Sequence, residues 1–319
     1  MAGFGLPNDF FVENGTTEGK MTYLCDRLII NNFTNMKRWK ILVVATTLCG
    51  CTNGIGSDVD FQEDKIEVVL NFMPNATTRS STSPADYFNK LNVQLFNETG
   101  DKVFSTIKTQ TKDDPDFGRM SVQLAPGSYT VVAVGHSSIK SATIKSPQMV
   151  QFTASDGEKL TDTFCHCSTI EIQEDGSTDE LRMNRVAAMF VVRSTDVDVP
   201  ESFAKLLIEY TGGSANFNPT TSQGTTKSSQ SELRDAASEY QCYTFPYLSN
   251  TCKLQVTLTA LTTDGAIIRK RTLSDVPVTR NQITTYTGPI FEEGDGAIVQ
   301  RDFGFTVNGE WEGSENYTF

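Results

Sequence analysis

The chain has 319 residues, with 27 Lys and Arg against 39 Asp and Glu and a formal charge of −12. Such an acidic chain repels phosphate backbones, which excludes nucleic acid as an expected partner. It holds two histidines, so general-base chemistry would lean on carboxylates, and these sit in turns and charge runs typical of solvated surface.

Residues 1–35 show no sustained period and no motif, and read as an upstream extension preceding a true start at Met36. Lys37, Arg38 and Lys40 then form a basic n-region and residues 41–48 an apolar h-region. Leu48, Cys49, Gly50 and Cys51 close it with small residues, the outline of a secretory signal peptide over 36–50. The run is far shorter than the roughly 20 apolar residues that cross a bilayer. Its end resembles the lipobox of bacterial lipoproteins, whose Cys takes a diacylglyceryl thioether before cleavage. That implies a chain starting at Cys51 and held in a membrane by acyl chains, each buried CH₂ worth about 0.8 kcal/mol. Residues 51–60 would be a tether. Without residues 1–50 the chain loses five basic and four acidic side chains, so its charge becomes −13. The 269 residues from Cys51 onward suit two domains.

From there the pattern is short alternating apolar runs cut by Gly, Pro, Asn and Asp, which points to an all-β chain. Residues 66–72 and 91–96 alternate as strands, 97–100 turn the chain, and 102–107 are expected to return as the next strand. Residues 120–124 alternate again. Pro126 and Gly127 form a turn pair leading into 129–134. Strands at 149–152 and 168–172 follow, and the acidic stretch 173–177 marks a surface connection. A second series runs through 186–192, 203–210, 253–261, 266–273, 282–286 and 303–307. Asp264 and Gly265 form the strongest hairpin signal. Residues 216–230 are too polar to pack a core and are expected to be a long loop, and helical periodicity is hinted at just around 231–240. The reading is two antiparallel β-sandwiches, residues 61–182 and 183–319.

The order of these pieces resembles the fimbrillin superfamily of Bacteroidales, the subunits of type V pili. The resemblance spans about 51–311. It rests on the lipobox, the strand at 66–72, Thr-Thr-Arg-Ser at 77–80, and Leu-Ala-Pro-Gly-Ser-Tyr-Thr-Val-Val-Ala at 124–133. Leu-Arg-Met-Asn-Arg-Val-Ala-Ala at 181–188 opens the second half. Arg-Asn-Gln-Ile-Thr-Thr-Tyr-Thr-Gly-Pro-Ile-Phe at 280–291 precedes Phe-Gly-Phe-Thr-Val-Asn-Gly-Glu-Trp at 303–311. The resemblance implies two transthyretin-like β-sandwich domains, export as a lipoprotein, and assembly with other fimbrial subunits at the outer membrane and cell surface. In polymerising members a protease cuts after an Arg that follows the first strand, and a neighbour's strand fills the vacated groove. Arg79 stands where that Arg would be; its other reading is an ordinary solvated loop arginine.

Beyond Cys51, Cys165, Cys167, Cys242 and Cys252 follow the signal segment. Cys242 and Cys252 flank residues 243–251, which suit a hairpin tip, so a disulfide between them is expected, worth about 3 kcal/mol in the chain-entropy model. Free thiols, or a link to the other pair, are the alternatives. Cys165, His166 and Cys167 lack the Cys-x₂₋₄-Cys spacing of zinc sites, and a strand would turn Cys165 and His166 to opposite faces. No Gly-rich phosphate loop and no Gly-x-Ser-x-Gly elbow occurs. The chain is therefore expected to bind no metal or cofactor and not to be an enzyme. A structural or adhesive fimbrial subunit is the first reading; a lipid-anchored surface module binding a glycan or host ligand is the alternative.

Overall fold

Val68, Leu70 and Phe72 of β1 (Ile66–Pro74) are buried while the residues between them are not, the period of two that one buried sheet face requires. The structure is a computed structural model describing residues 65–75, 83–139, 142–152, 160–174, 178–292 and 304–308. After β1 come β2 (Lys90–Phe96), β3 (Lys108–Thr111), β4 (Arg119–Leu124) and β5 (Gly127–His136). The short β6 (Thr143–Ser146) and β7 (Met149–Gln151) precede β8 (Thr163–Ile172) and β9 (Thr178–Arg185). Seven of these strands form one sheet in the order β3-β2-β5-β8-β9-β1-β4. It folds over where β8 and β9 share the pairs Phe164–Arg185 and Cys165–Asn184, so that β9, β1 and β4 face β3, β2, β5 and β8 across the core. β1 runs antiparallel to β4 and parallel to β9. Between the layers sit Val68, Leu70, Phe72, Leu91, Val93 and their neighbours, the first core.

The second half repeats this plan. β10 (Ala188–Ser194), β15 (Glu239–Thr244), β18 (Ile283–Gly288) and β19 (Gly304–Asn308) make one layer. β11 (Lys205–Ser214), β14 (Lys227–Asp235), β16 (Thr251–Leu261) and β17 (Ile267–Thr279) make the other. Phe190, Leu206, Ile208, Val256, Leu258 and Val276 are among the residues of its core.

A third, smaller sheet ties the halves together. β12 (Asn216–Asn218) and β13 (Gln223–Gly224) from the second half continue onto β7 and β6 from the first. This sheet covers the outer face of β2 and β5. Phe96, Val132 and Val134 meet Val150, Phe217 and Phe245 there in a core of their own. β2 is consequently buried on both faces, Asn92 and Gln94 included, and residues 60–319 form one compact unit.

The all-β sandwich architecture holds, with four corrections of detail. Residue 102 makes one bridge to Phe96 and the true β3 begins at Lys108. The Gln94 side chain takes over the ladder there, accepting from the Phe104 N–H at 3.2 Å and donating to its carbonyl at 3.0 Å. Residues 216–230, expected as a loop, hold β12, β13 and the start of β14. The stretch 231–240 has no helix: β14 runs to Asp235 and β15 starts at Glu239. Finally, β9 crosses the expected boundary at 182/183, and each sandwich contains one parallel pair, β1 with β9 and β10 with β18.

Candidate functional site

β1 is the element whose place in the fold bears most directly on assembly. It is ladder-paired on both sides, Leu70 with Met120 of β4 and with Asp179 of β9. Its exit is fixed by a close approach: the Phe72 N–H donates to the Gly118 carbonyl at 2.7 Å. Gly118 has φ +89°, and a Cβ there would stand 2.6 Å from Pro84 Cγ, so neither the backbone nor the space admits a side chain. Taking β1 away would unpair β4 and β9 together and leave a slot on the Val68, Leu70 and Phe72 face. Cys51 and Arg79 lie outside the described residues.

Around the junction, side chains lock the halves together. Arg185, at the end of β9, donates from Nε to both oxygens of Asp162, at 2.9 and 3.0 Å, and from Nη1 to Asn281 Oδ1 of the second half at 3.1 Å. Its guanidinium lies 4.6 Å from the centroid of the Phe164 ring. Burial pushes the Asp162 carboxyl up, against the pull of Arg185. Nearby, His136 is fully buried at the end of β5. Its Nδ1 accepts from the Ser138 N–H at 3.1 Å, which assigns the proton to Nε2, 2.8 Å from Asn92 Oδ1. Burial first, and Lys90 second, bring its pKa down to about 4.

The hairpin expected to carry a Cys242–Cys252 disulfide is not the arrangement found. β15 and β16, which carry Cys242 and Cys252, do not pair, so the hairpin that was to join the two cysteines does not exist. β15 pairs Cys242 with Phe190 in one layer; β16 pairs Cys252 with Val278 in the facing layer. Cys242 instead faces a polar seam along the sandwich edge. Glu232, 2% exposed, accepts from the Tyr210 hydroxyl at 2.8 Å and from Arg234 at 2.9 and 3.2 Å. The Cys242 thiol stands 3.7 Å from the same carboxylate. Burial, then Glu232, push the Tyr210 hydroxyl far up.

The Cys165, His166 and Cys167 run lies on β8. Cys165 is buried in the third core and Cys167 packs against it, 3.9 Å from the Pro147 carbonyl. His166 turns to β9 instead: one ring nitrogen is 2.9 Å from the Arg182 carbonyl, the other 2.7 Å from Ser168 Oγ. Burial raises both thiols and lowers the imidazole. Among the described residues no group of three His, Cys, Asp or Glu is placed to hold a metal ion. No helix among them is long and apolar enough to cross a membrane.

Sequence reasoning missed one further polar device. Asp196, after β10, accepts from three successive backbone N–H groups, Ile290, Phe291 and Glu292, at 2.5, 2.8 and 3.3 Å. Burial alone would raise its carboxyl; the Ser194 hydroxyl and these donors hold it below the usual range. Arg271 donates to the Ile290 and Glu292 carbonyls of the same segment. A lone Asp in a loop carries no signal in the sequence of where the chain will return.

Comparison with known proteins gives the following. Residues 60–319 match the model of a family described as "Family of unknown function (DUF6562)". No curated protein matches the chain. Among solved structures, a candidate adhesin from Bacteroides ovatus is 12% identical, with TM-score 0.48, covering 76% of this chain and 93% of its own. The fimbrial anchor protein Mfa2 from Porphyromonas gingivalis is 13% identical, with TM-score 0.42 and coverages of 77% and 98%. A fimbrial assembly protein from Parabacteroides distasonis is 12% identical, with TM-score 0.39 and coverages of 77% and 96%.

Proposed function

We propose a structural or adhesive role in cell-surface fimbriae for this chain, which belongs to DUF6562, a family of unknown function. The observation that supports it most is the position of β1. It is paired on both sides, between β9 and β4, it presents an apolar residue at every second position, and it is the first strand among the described residues. A strand so placed can be exchanged for a foreign one of the same period, because backbone pairing is generic and the pockets for alternate side chains set the match. Arg79 follows Pro74, the last residue of β1, by five positions, where a cut would free that strand. Export, lipid attachment at Cys51 and outer-membrane anchoring belong to the same proposal and rest on the signal-like sequence. Enzymatic activity forms no part of this proposal.

Two substitutions test it. Arg79→Ala should keep β1 in place and abolish incorporation into pili seen by electron microscopy, and Cys51→Ser should abolish labelling with palmitate. Normal pili in both an Arg79→Ala strain and a deletion strain would remove the chain from assembly, and normal palmitate labelling of Cys51→Ser would remove the anchor. The lipid-anchored binding module stays as a second reading because the loop after β10 exposes Val197 and Val199, 89% and 49% accessible. It predicts unchanged pili on deletion and loss of surface binding to a glycan or host ligand.

A further inference from the structure

Asn92 of β2 and Thr109 of β3 stand directly opposite each other in the antiparallel ladder. Asn92 is fully buried, and its carboxamide is held at both ends. At one end Oδ1 lies 2.8 Å from His136 Nε2 and accepts from the Ala142 N–H at 3.1 Å. An amide nitrogen in that place would meet two donors, so the orientation of the group follows from its surroundings. At the other end Nδ2 donates to Thr109 Oγ1 at 2.8 Å. Thr109 itself is exposed, on an edge strand.

Two donors converging on one carbonyl oxygen make an oxyanion hole. They draw charge from the carbon and stabilise the oxyanion that forms on attack, which works best at donor distances of about 2.7 to 3.1 Å. The hydroxyl is close to that carbon as well. An amide C–N bond is about 1.33 Å, so an oxygen 2.8 Å from Nδ2 lies within about 4.1 Å of Cγ. A turn of the Thr109 side chain about χ1 closes this toward the roughly 3 to 3.5 Å of a near-attack arrangement.

We propose that Thr109 Oγ1 attacks Asn92 Cγ and that the two side chains end as an ester joining β2 to β3. The Oγ1–Cγ bond forms while the carbonyl electron pair moves onto Oδ1, against the His136 Nε2–H and the Ala142 N–H. As the carbonyl re-forms, the Cγ–Nδ2 bond breaks and the hydroxyl proton passes to the departing nitrogen, which leaves as ammonia. The step needs no oxidant, metal or second reactant. The exposed side of Thr109 lets ammonia out, and burial of Asn92 keeps bulk water from the carbonyl. The gain is mechanical. β3 is held to β2 by four residue pairs, Lys90–Thr111 through Val93–Lys108, and among the described residues no strand lies on its other side. With the ester in place, this short edge strand cannot peel from β2 unless a covalent bond breaks.

Mass spectrometry of the full chain, folded and incubated at neutral pH, tests this. The protein should be lighter than its sequence by one ammonia. Trypsin should release residues 91–102 and 109–112 as one branched peptide, which hydroxylamine splits. Thr109→Val should restore the full mass, and Thr109→Ser, which keeps a hydroxyl, should keep the loss. The full mass in the unsubstituted protein overturns the proposal. So does a loss of ammonia with the two peptides separate, which would be a succinimide within one of them. An aspartate at position 92 without the branched peptide also overturns it, because water and not Thr109 would then be the nucleophile.

Discussion

Asn92 and His136 show how a buried polar pair is made tolerable and what it makes pH-sensitive. Both are fully buried, and each ring nitrogen of His136 already has its partner when the imidazole is neutral. A proton on Nδ1 would face the Ser138 N–H, donor against donor, in a site packed edge-on to the Phe152 ring at 5.2 Å. The folded pKa, about 4, lies below the unfolded value of 6.5. The unfolded chain therefore takes up the proton first. The stability contributed is whole above pH 6.5 and is lost as the pH falls toward 4, roughly 3 kcal/mol in all. His136→Gln should remove that share of the acid sensitivity. Urea unfolding at pH 7.5 and pH 4.5 checks it, and an equal acid loss in variant and unsubstituted protein would show that His136 is not the group responsible.

Among the elements, β14 departs furthest from what its sequence advertises. It is an edge strand whose inward positions are Ser228, Gln230, Glu232 and Arg234, with no apolar alternation to reveal it. Its inward charge is paired, and a charge turned inward on an edge also discourages edge-to-edge association. Its backbone pairing along β11, Lys205 with Asp235 through Thr211 with Ser229, is what makes it a strand. Removing Arg234 would leave the Glu232 carboxylate buried against Tyr210 and Cys242. Arg234→Ala should then cost about 2 to 4 kcal/mol, and adding Glu232→Gln should restore part of it. Equilibrium unfolding of the two single variants and the double measures the coupling; a loss under about 0.5 kcal/mol for Arg234→Ala would make the pair no more than a surface contact. The hairpin expected to bring Cys242 and Cys252 together failed for a related reason. Residues 243–251 read as a hairpin tip, but the chain crosses there from one layer to the other, so Cys242 and Cys252 face different neighbours.

For the whole molecule, the third sheet decides how far the two sandwiches act as one. Phe217 and Phe245 from the second half are fully buried in the core that covers β2 and β5, their rings 4.8 Å apart. Arg185 adds the Asp162 and Asn281 contacts across the junction. The chain should accordingly unfold in one cooperative transition. Phe245→Ala, a large-to-small change costing about 3 to 5 kcal/mol, should lower the midpoint and split the transition in two. Calorimetry with far-ultraviolet dichroism reads this, and a single sharp transition for Phe245→Ala would mean that the junction is held elsewhere.

Local chemistry in the sequence is enough to place β1, β2, β4, β5, β16 and β17 close to where they lie, and the Asp264–Gly265 turn with them. β1 and β4 bury one face and so alternate, β2 and β5 are apolar runs bounded by turn residues, and Gly265, at φ +85°, takes the left-handed turn that glycine permits. The two-sandwich plan follows from the same alternation. What the sequence could not determine is which strands share a layer. Pairing is made by backbone groups, identical at every residue, so the parallel pairs, the repeat of one topology and the third sheet appear only once the chain is folded. Polar positions are decided in the same way. Asp196, Glu232 and Arg185 find their partners 94, 22 and 96 residues along the chain, at Ile290, Tyr210 and Asn281, and side chains that far apart meet only because the sheets around them have already closed.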